Sequence, residues 1–177
     1  ISERQDRGEV ITPENLIKEM LDKLPQEIFE SKTTTFLDPC FGTGSFLKAI
    51  GLRLKKYGHS TENINSRLFG FEVDSRMFNE TKCKFNGITI NKQDFLNTDI
   101  NMKFDVIVGN PPYYGSKKQD KAQKDDLSAV FKGYKKVSNI DYISCWFYLA
   151  SKYIKGTKNK FAFVSTNSIS QGEQVSI

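Results

Sequence analysis

The residues that could do chemistry in this sequence sit at the ends of short apolar runs. Asp38, Glu72, Asp94 and Asn110 stand at or just beyond Thr33–Leu37, Leu68–Phe71, Ile88–Ile90 and Phe104–Val108. Glu72 can accept two hydrogen bonds from vicinal ribose hydroxyls. Asp94 can accept one from an exocyclic adenine amino group, with Val73 and Phe95 lining the ring, and Asp38 can hold an ammonium group. Together they describe a ligand with an α-amine, a ribose and an adenine. Between the first two acids runs Asp38-Pro-Cys-Phe-Gly-Thr-Gly-Ser-Phe46. Gly42 and Gly44 let the backbone bend sharply and approach a ligand, because no Cβ intervenes. A dinucleotide fingerprint needs a small residue where this sequence has Leu47, and no Lys-Ser/Thr follows for a Walker-type loop. Asn110-Pro-Pro-Tyr113 closes the set. Its two prolines fix a rigid turn and carry no N–H, so the Asn110 amide oxygen and the Pro111 carbonyl can both aim outward.

The elements that must position these residues follow from pattern. Thr12 and Pro13 predict a helix start, with Thr12 as cap, and Leu16, Ile17, Met20, Leu21 and Leu24 keep a helical period up to Pro25. Phe46, Leu47, Ile50, Leu54 and Tyr57 predict a second helix. Ser75 is the expected cap of a helix carrying Phe78 and Phe85, and Tyr142–Ile154 reads as a strongly apolar helix. With Phe161–Val164 as a fifth run, strands alternate with helices and most strands are near-continuously apolar. That pattern predicts an α/β fold with a doubly wound, mostly parallel sheet. In such sheets ligands bind beyond the carboxyl ends of the strands, which turns four scattered polar residues into one site.

At 177 residues, with 38% hydrophobic and 27% charged residues, the chain reads as one ordinary domain. No apolar run approaches the ~20 residues of a membrane-spanning helix, and the start lacks a signal pattern. The chain is therefore expected to be cytoplasmic and free of membrane contact. Without a Met at its start, it is expected to be a fragment. Cys40, Cys83 and Cys145 show no CxxC pattern, and His59 is the one histidine. No metal site is expected, and Ser-His-Asp or Cys-His catalysis is disfavoured unless His59 is the base. The net charge is +5, and from Lys117 to Lys136 seven lysines face three aspartates. This stretch reads either as a solvated loop or as one that contacts phosphates.

The motifs Asp38-Pro-x-x-Gly42-x-Gly44-x-Phe46 and Asn110-Pro-Pro-Tyr113 resemble those of class I S-adenosylmethionine-dependent methyltransferases. More narrowly, they resemble gamma-class enzymes that modify adenine N6 in DNA. The segment Gly8-Glu-Val-Ile-Thr-Pro13, placed before the glycine turn, is similar to that family's N-terminal cofactor motif and implicates Thr12. The resemblance assigns cofactor contacts to Thr12, Asp38, Pro39, Phe41, Gly42, Gly44, Phe46, Glu72, Val73, Asp94, Phe95 and Asn110. It makes Asn110, Pro111, Pro112 and Tyr113 catalytic. An exocyclic amino group is a poor nucleophile because its lone pair is delocalised. Two acceptors would localise that lone pair and stabilise the charge that builds on nitrogen. Tyr113 would stack the target base, which must be flipped out of the duplex.

Asp141–Phe147 and Phe161–Gln174 resemble methyltransferases of restriction–modification systems, in particular large polypeptides that fuse endonuclease and methylase. Trp146 and Phe147 read as helix core. The resemblance implies a Rossmann-like sheet of seven strands. Residues 1–177 are thus expected to form a single partial catalytic domain that ends after the fifth strand and lacks the target-recognition domain. The implied partners are double-stranded DNA with a flipped adenine and a fused or associated endonuclease. Rival readings are a protein glutamine methyltransferase, an N4-cytosine enzyme, and a module that binds cofactor or DNA without turnover.

Overall fold

A computed structural model describes residues 11–156 and 159–166. Gly8–Val10 of the N-terminal motif and 167–174 of the closing segment lie outside the described residues.

The strands are β1 (Phe36–Asp38), β2 (Leu68–Phe71), β3 (Thr89–Asn91), β4 (Val106–Gly109) and β5 (Lys160–Phe163). The helices are α1 (Glu14–Asp22), α2 (Gln26–Glu30), α3 (Ser45–Lys56), α4 (Thr61–Asn65), α5 (Ser75–Lys84), α6 (Lys121–Val130) and α7 (Ser144–Tyr153). The five strands form one sheet in the order β3-β2-β1-β4-β5, and every pairing is parallel. Side chains of a strand alternate between faces, and the core divides accordingly. Phe36, Val106 and Val108 pack with Ile17 and Leu21 of α1, Phe29 of α2 and Leu47, Ile50 and Leu54 of α3. Leu37 and Ile107 face the opposite layer, with Leu127 of α6 and Cys145, Leu149 and Ala150 of α7. Burying each large apolar side chain contributes roughly 1.5–3 kcal/mol. Both faces of β1 and β4 are covered, so these strands are apolar up to the buried Asp38 that ends β1, as a doubly wound sheet leads one to expect.

The order places the topological switch between β1 and β4. The chain winds outward from β1 through β2 to β3, then returns to the other side of β1. The crevice at such a switch is where open α/β sheets bind ligands. Register pairs Phe36 with Val106 and Leu37 with Ile107, so Asp38 and the Gly109-Asn110 step emerge side by side.

Several local expectations are corrected. Thr12 does not cap α1: Pro13 holds that position, and the Thr12 hydroxyl is engaged elsewhere. Asp74, not Ser75, caps α5, its carboxylate accepting from the Arg76 and Met77 amides. The Lys-rich stretch is not a plain loop. It contains α6, opened by a capping box in which Asp120 and Gln123 satisfy each other's backbone N–H groups.

Candidate functional site

A cavity of about 580 Å³ opens at the carboxyl ends of the strands. Of the residues expected to touch a cofactor, Thr12, Asp38, Pro39, Phe41, Gly42 and Phe46 line it. Glu72, Val73, Asp94, Phe95 and Asn110 line it as well, and Pro112 joins them from the catalytic turn. Gly44, Pro111 and Tyr113 are not among its lining residues. Gly44 acts from behind the wall. Its φ of +80° is left-handed, and a Cβ there would lie 2.8 Å from the Phe85 ring. The aromatic wall beyond Pro112 comes from Tyr114, Tyr142 and Trp146 instead. Adjacent tyrosines in a turn carry no spacing signal to tell them apart, and Trp146 is helix core, as expected, while also bordering the cavity. Its indole N–H is buried with no hydrogen-bond partner among the described residues.

Each acid accepts a backbone amide two residues after it in the chain. Asp38 is 1% exposed, and its Oδ1 accepts the Cys40 amide at 3.2 Å. Burial pushes its carboxyl up to about 8; the Cys40 amide pulls the other way, and the nearby Glu72 charge raises it further. Gly109 makes room for it, since a Cβ there would lie 2.6 Å from Oδ1. Glu72 accepts the Gly42 amide through Oε2 and the Asp74 amide through Oε1, both at 2.8 Å. It therefore clamps the glycine turn onto the end of β2, a structural duty beside the expected ribose contact. Asp94 caps a short 3₁₀ turn, Phe95–Asn97, with Oδ1 on the Leu96 amide at 2.9 Å and Oδ2 on Asn97 Nδ2 at 2.7 Å.

The turn after β4 is tied into the same wall. Asn110 Nδ2 donates to Thr12 Oγ1 at 3.0 Å. The Asn110 backbone N–H reaches the Cys40 sulfur, whose thiol burial and the neighbouring Asp38 and Glu72 charges hold well above its usual range. Beyond Pro112, the Tyr114 carbonyl accepts from Gln119 Nε2 at 2.8 Å and from the Tyr142 amide at 3.0 Å. Gln119 Nε2 also donates to the Ile140 carbonyl at 2.8 Å. Further out, the Tyr142 hydroxyl donates to Asp126 Oδ2 at 2.6 Å, and Asn97 Nδ2 reaches Asp126 Oδ1 at 3.4 Å. Burial, then that bond to Asp126, raises the Tyr142 phenol far above its ordinary range.

Residues 78–177 match the family described as MmeI, DNA-methyltransferase domain. The chain belongs to this family. Among curated relatives, DNA methyltransferase A of Bacillus subtilis (strain 168) is 56% identical over 71 residues, covering 40% of this chain and 8% of that protein. Type II methyltransferase M.VspI of Vibrio sp. (strain 343) is 34% identical over 135 residues, covering 72% of this chain and 30% of that protein. The type IIL restriction-modification enzyme MmeI, solved in complex with DNA, matches 98% of this chain and 32% of its own, with TM-score 0.72 and 26% identity. The chain spans less than a third of the length of the curated relatives it matches. The doubly wound, Rossmann-like sheet agrees with the fold of MmeI.

Proposed function

We propose that this chain transfers the methyl group of S-adenosylmethionine to the N6 amino group of adenine in double-stranded DNA, as part of a restriction–modification system. The observation that carries this reading is Asn110, which lines the same cavity as Asp38, Glu72 and Asp94. The named relatives and the DNA-bound state of MmeI support it.

The residues present fit the cofactor. The gap that Gly109 leaves holds the Asp38 carboxylate where an α-ammonium can reach it. Glu72 and Asp94 offer their remaining lone pairs to ribose hydroxyls and an adenine amino group, and Phe95 and Val73 border the ring. The buried Trp146 N–H is a donor that has no partner among the described residues. Thr12, Pro39, Phe41, Gly42, Gly44 and Phe46 shape or support the floor. When bound, the cofactor supplies an electrophilic methyl group on a sulfonium.

The chain's own part is to activate the amine. Thr12 engages the amide nitrogen of Asn110, which fixes the side chain with its oxygen on the opposite side. That oxygen and the Pro111 carbonyl accept the two N–H groups of the target and draw the nitrogen toward tetrahedral geometry. These two acceptors would hold the positive charge that builds on the amine nitrogen as it takes up the methyl group, and the nitrogen would then release one proton to solvent. No strong base is needed. Pro112 keeps the turn rigid, and an aromatic face, Tyr113 or the cavity-lining Tyr114, stacks the flipped base for roughly 1–3 kcal/mol.

Residues 1–177 act in this reading as one catalytic domain beside a target-recognition domain and an endonuclease, fused or associated. Among the described residues no helix is long and apolar enough to cross a membrane, and a DNA substrate places the reaction in the cytoplasm. The test is incubation with methyl-labelled cofactor and either duplex DNA or a release-factor protein, followed by nucleoside analysis. N6-methyladenine is expected. Label in cytosine, or in protein but not DNA, overturns the assignment. Asn110→Ala is expected to lower transfer by about 10²–10³ while calorimetric cofactor affinity changes little; equal loss of both removes Asn110 from its catalytic role.

A further inference from the structure

We infer that the outer face of α6, with the turns before and after it, is a phosphate-contacting surface that grips the DNA backbone at the rim of the cavity. The inference rests on the DNA reading above and adds the surface by which this chain itself would hold the duplex. Lys117, Lys118, Lys121, Lys124, Lys132, Lys135 and Lys136 are all exposed. The three acids of the same segment leave it with a net charge of +4, seven lysines against three aspartates. Asp120 is spent on the capping box of α6, accepting the Gln123 amide at 2.8 Å. Asp126 takes the Tyr142 hydroxyl at 2.6 Å. Asp125 meets Lys121 at 3.4 Å, with side chains 67% and 94% exposed, and an ion pair so open to water contributes little. Lys117, Lys118, Lys124, Lys132 and Lys135 have no ion-pair partner among the described residues. Most of the chain's net charge of +5 is therefore displayed on one short stretch.

Its position gives that charge a purpose. Ala122 and Gln123, in the first turn of α6, line the cavity that holds Asn110. Lys121, Lys124 and Ser128 follow at helical spacing on the exposed side of the helix. At 1.5 Å per residue the stripe from Lys121 to Ser128 is about 10 Å long, on a helix whose Asp126 also lines the cavity, and that length is enough to follow several backbone phosphates. Leu127 and Phe131, both 1% exposed, root the opposite side of the helix and its end in the core, so Lys121 and Lys124 are carried on a fixed element. Tyr134, 50% exposed and packed edge-on against Phe131 and Tyr148, adds a held hydroxyl beside Lys135. A duplex whose base has turned into the cavity must pass its phosphates across this rim.

The test replaces Lys117, Lys118, Lys124 and Lys135 with Gln in the full chain and measures duplex affinity against salt. Each lost phosphate contact lowers the slope of log affinity against log salt by about 0.9, so a drop of roughly two to four is expected. A control with Lys48, Lys55, Lys56 and Lys84 replaced by Gln, which removes the same formal charge from α3 and α5, should keep the wild-type slope. Cofactor affinity, read by calorimetry, should be unchanged in both. If wild type binds duplex and both variants lose slope equally, or neither does, the surface is refuted while the DNA reading stands. If wild type binds no duplex at any salt and labels none, both fail together.

Discussion

Gly109→Ala tests how tightly the cavity floor is set. Gly109 lies in β4, where its backbone would accept alanine, so any effect comes from the added methyl. That Cβ would sit 2.6 Å from Asp38 Oδ1, against 3.4 Å or more in ordinary contact, a shortfall of about 0.8 Å. The carboxyl cannot swing away freely: Asp38 is 1% exposed and its Oδ1 holds the Cys40 amide. Either Asp38 moves and gives up that bond, or β4 shifts and carries Asn110 with it. Overpacking of this kind costs about 1–3 kcal/mol. Spent on stability, that lowers the melting temperature by roughly 2–4 °C per kcal/mol for a chain of this size; spent on binding, it weakens cofactor affinity about 5- to 150-fold. Calorimetry and thermal unfolding read the two shares. Adding Asp38→Ala removes the colliding oxygen, so the unfolding cost of Gly109→Ala should shrink by about 0.5–3 kcal/mol in that background. Wild-type stability and affinity in Gly109→Ala would refute the account of Asp38 as a pinned carboxyl.

The remaining predictions concern the acids. The Asp38 carboxyl stands at about 8, above its unfolded value of about 3.9, so its protonated form is the one the fold favours; stability should fall as pH rises from about 4 to 8 and level off above. An ammonium ligand needs the charged form, so binding below pH 8 should release a proton, detectable by calorimetry in buffers of different ionisation enthalpy; Asp38→Asn should abolish the release, and its persistence would point to another group. Glu72→Gln keeps one acceptor for the Gly42 and Asp74 amides but sets an NH₂ against the other, costing about 1.5–3 kcal/mol of stability and lowering cofactor affinity; unchanged calorimetric affinity would take Glu72 out of the site.

The sheet was legible chiefly through its central strands, which are largely buried and read as apolar runs, whereas the edge strands β3 and β5 are mostly exposed or half-buried. Leu68–Phe71 lies where the pattern put it, and the other strands are shifted by one to three residues at their ends. Gly42 and Gly44 do adopt positive φ, at 52° and 80°. What escaped was short or polar. α2 and α4 span five residues each and bury one side chain apiece, Phe29 and Ile64, too little for a period to emerge. In α6 charge outweighed pattern, although Asp120 and Gln123 carried the capping-box signature. At the site, residue types at strand ends were readable, but their second partners were not. The tie from Asn110 to Thr12 spans 98 residues of sequence, and the clamp from Glu72 to the Gly42 amide uses a backbone group that no composition reveals. The choice between Tyr113 and Tyr114 depends on how the chain leaves Pro112, which Gln119 and Tyr142 set from downstream.

One modest amide carries a thermodynamic obligation. Asn97 Nδ2 touches both Asp94, on the floor, and Asp126, on the basic helix. The same amide thus links that helix to the part of the cavity where the proposed cofactor's adenine would lie. If a duplex on that helix changes the affinity for the methyl donor by some factor, the donor must change the affinity for the duplex by the same factor.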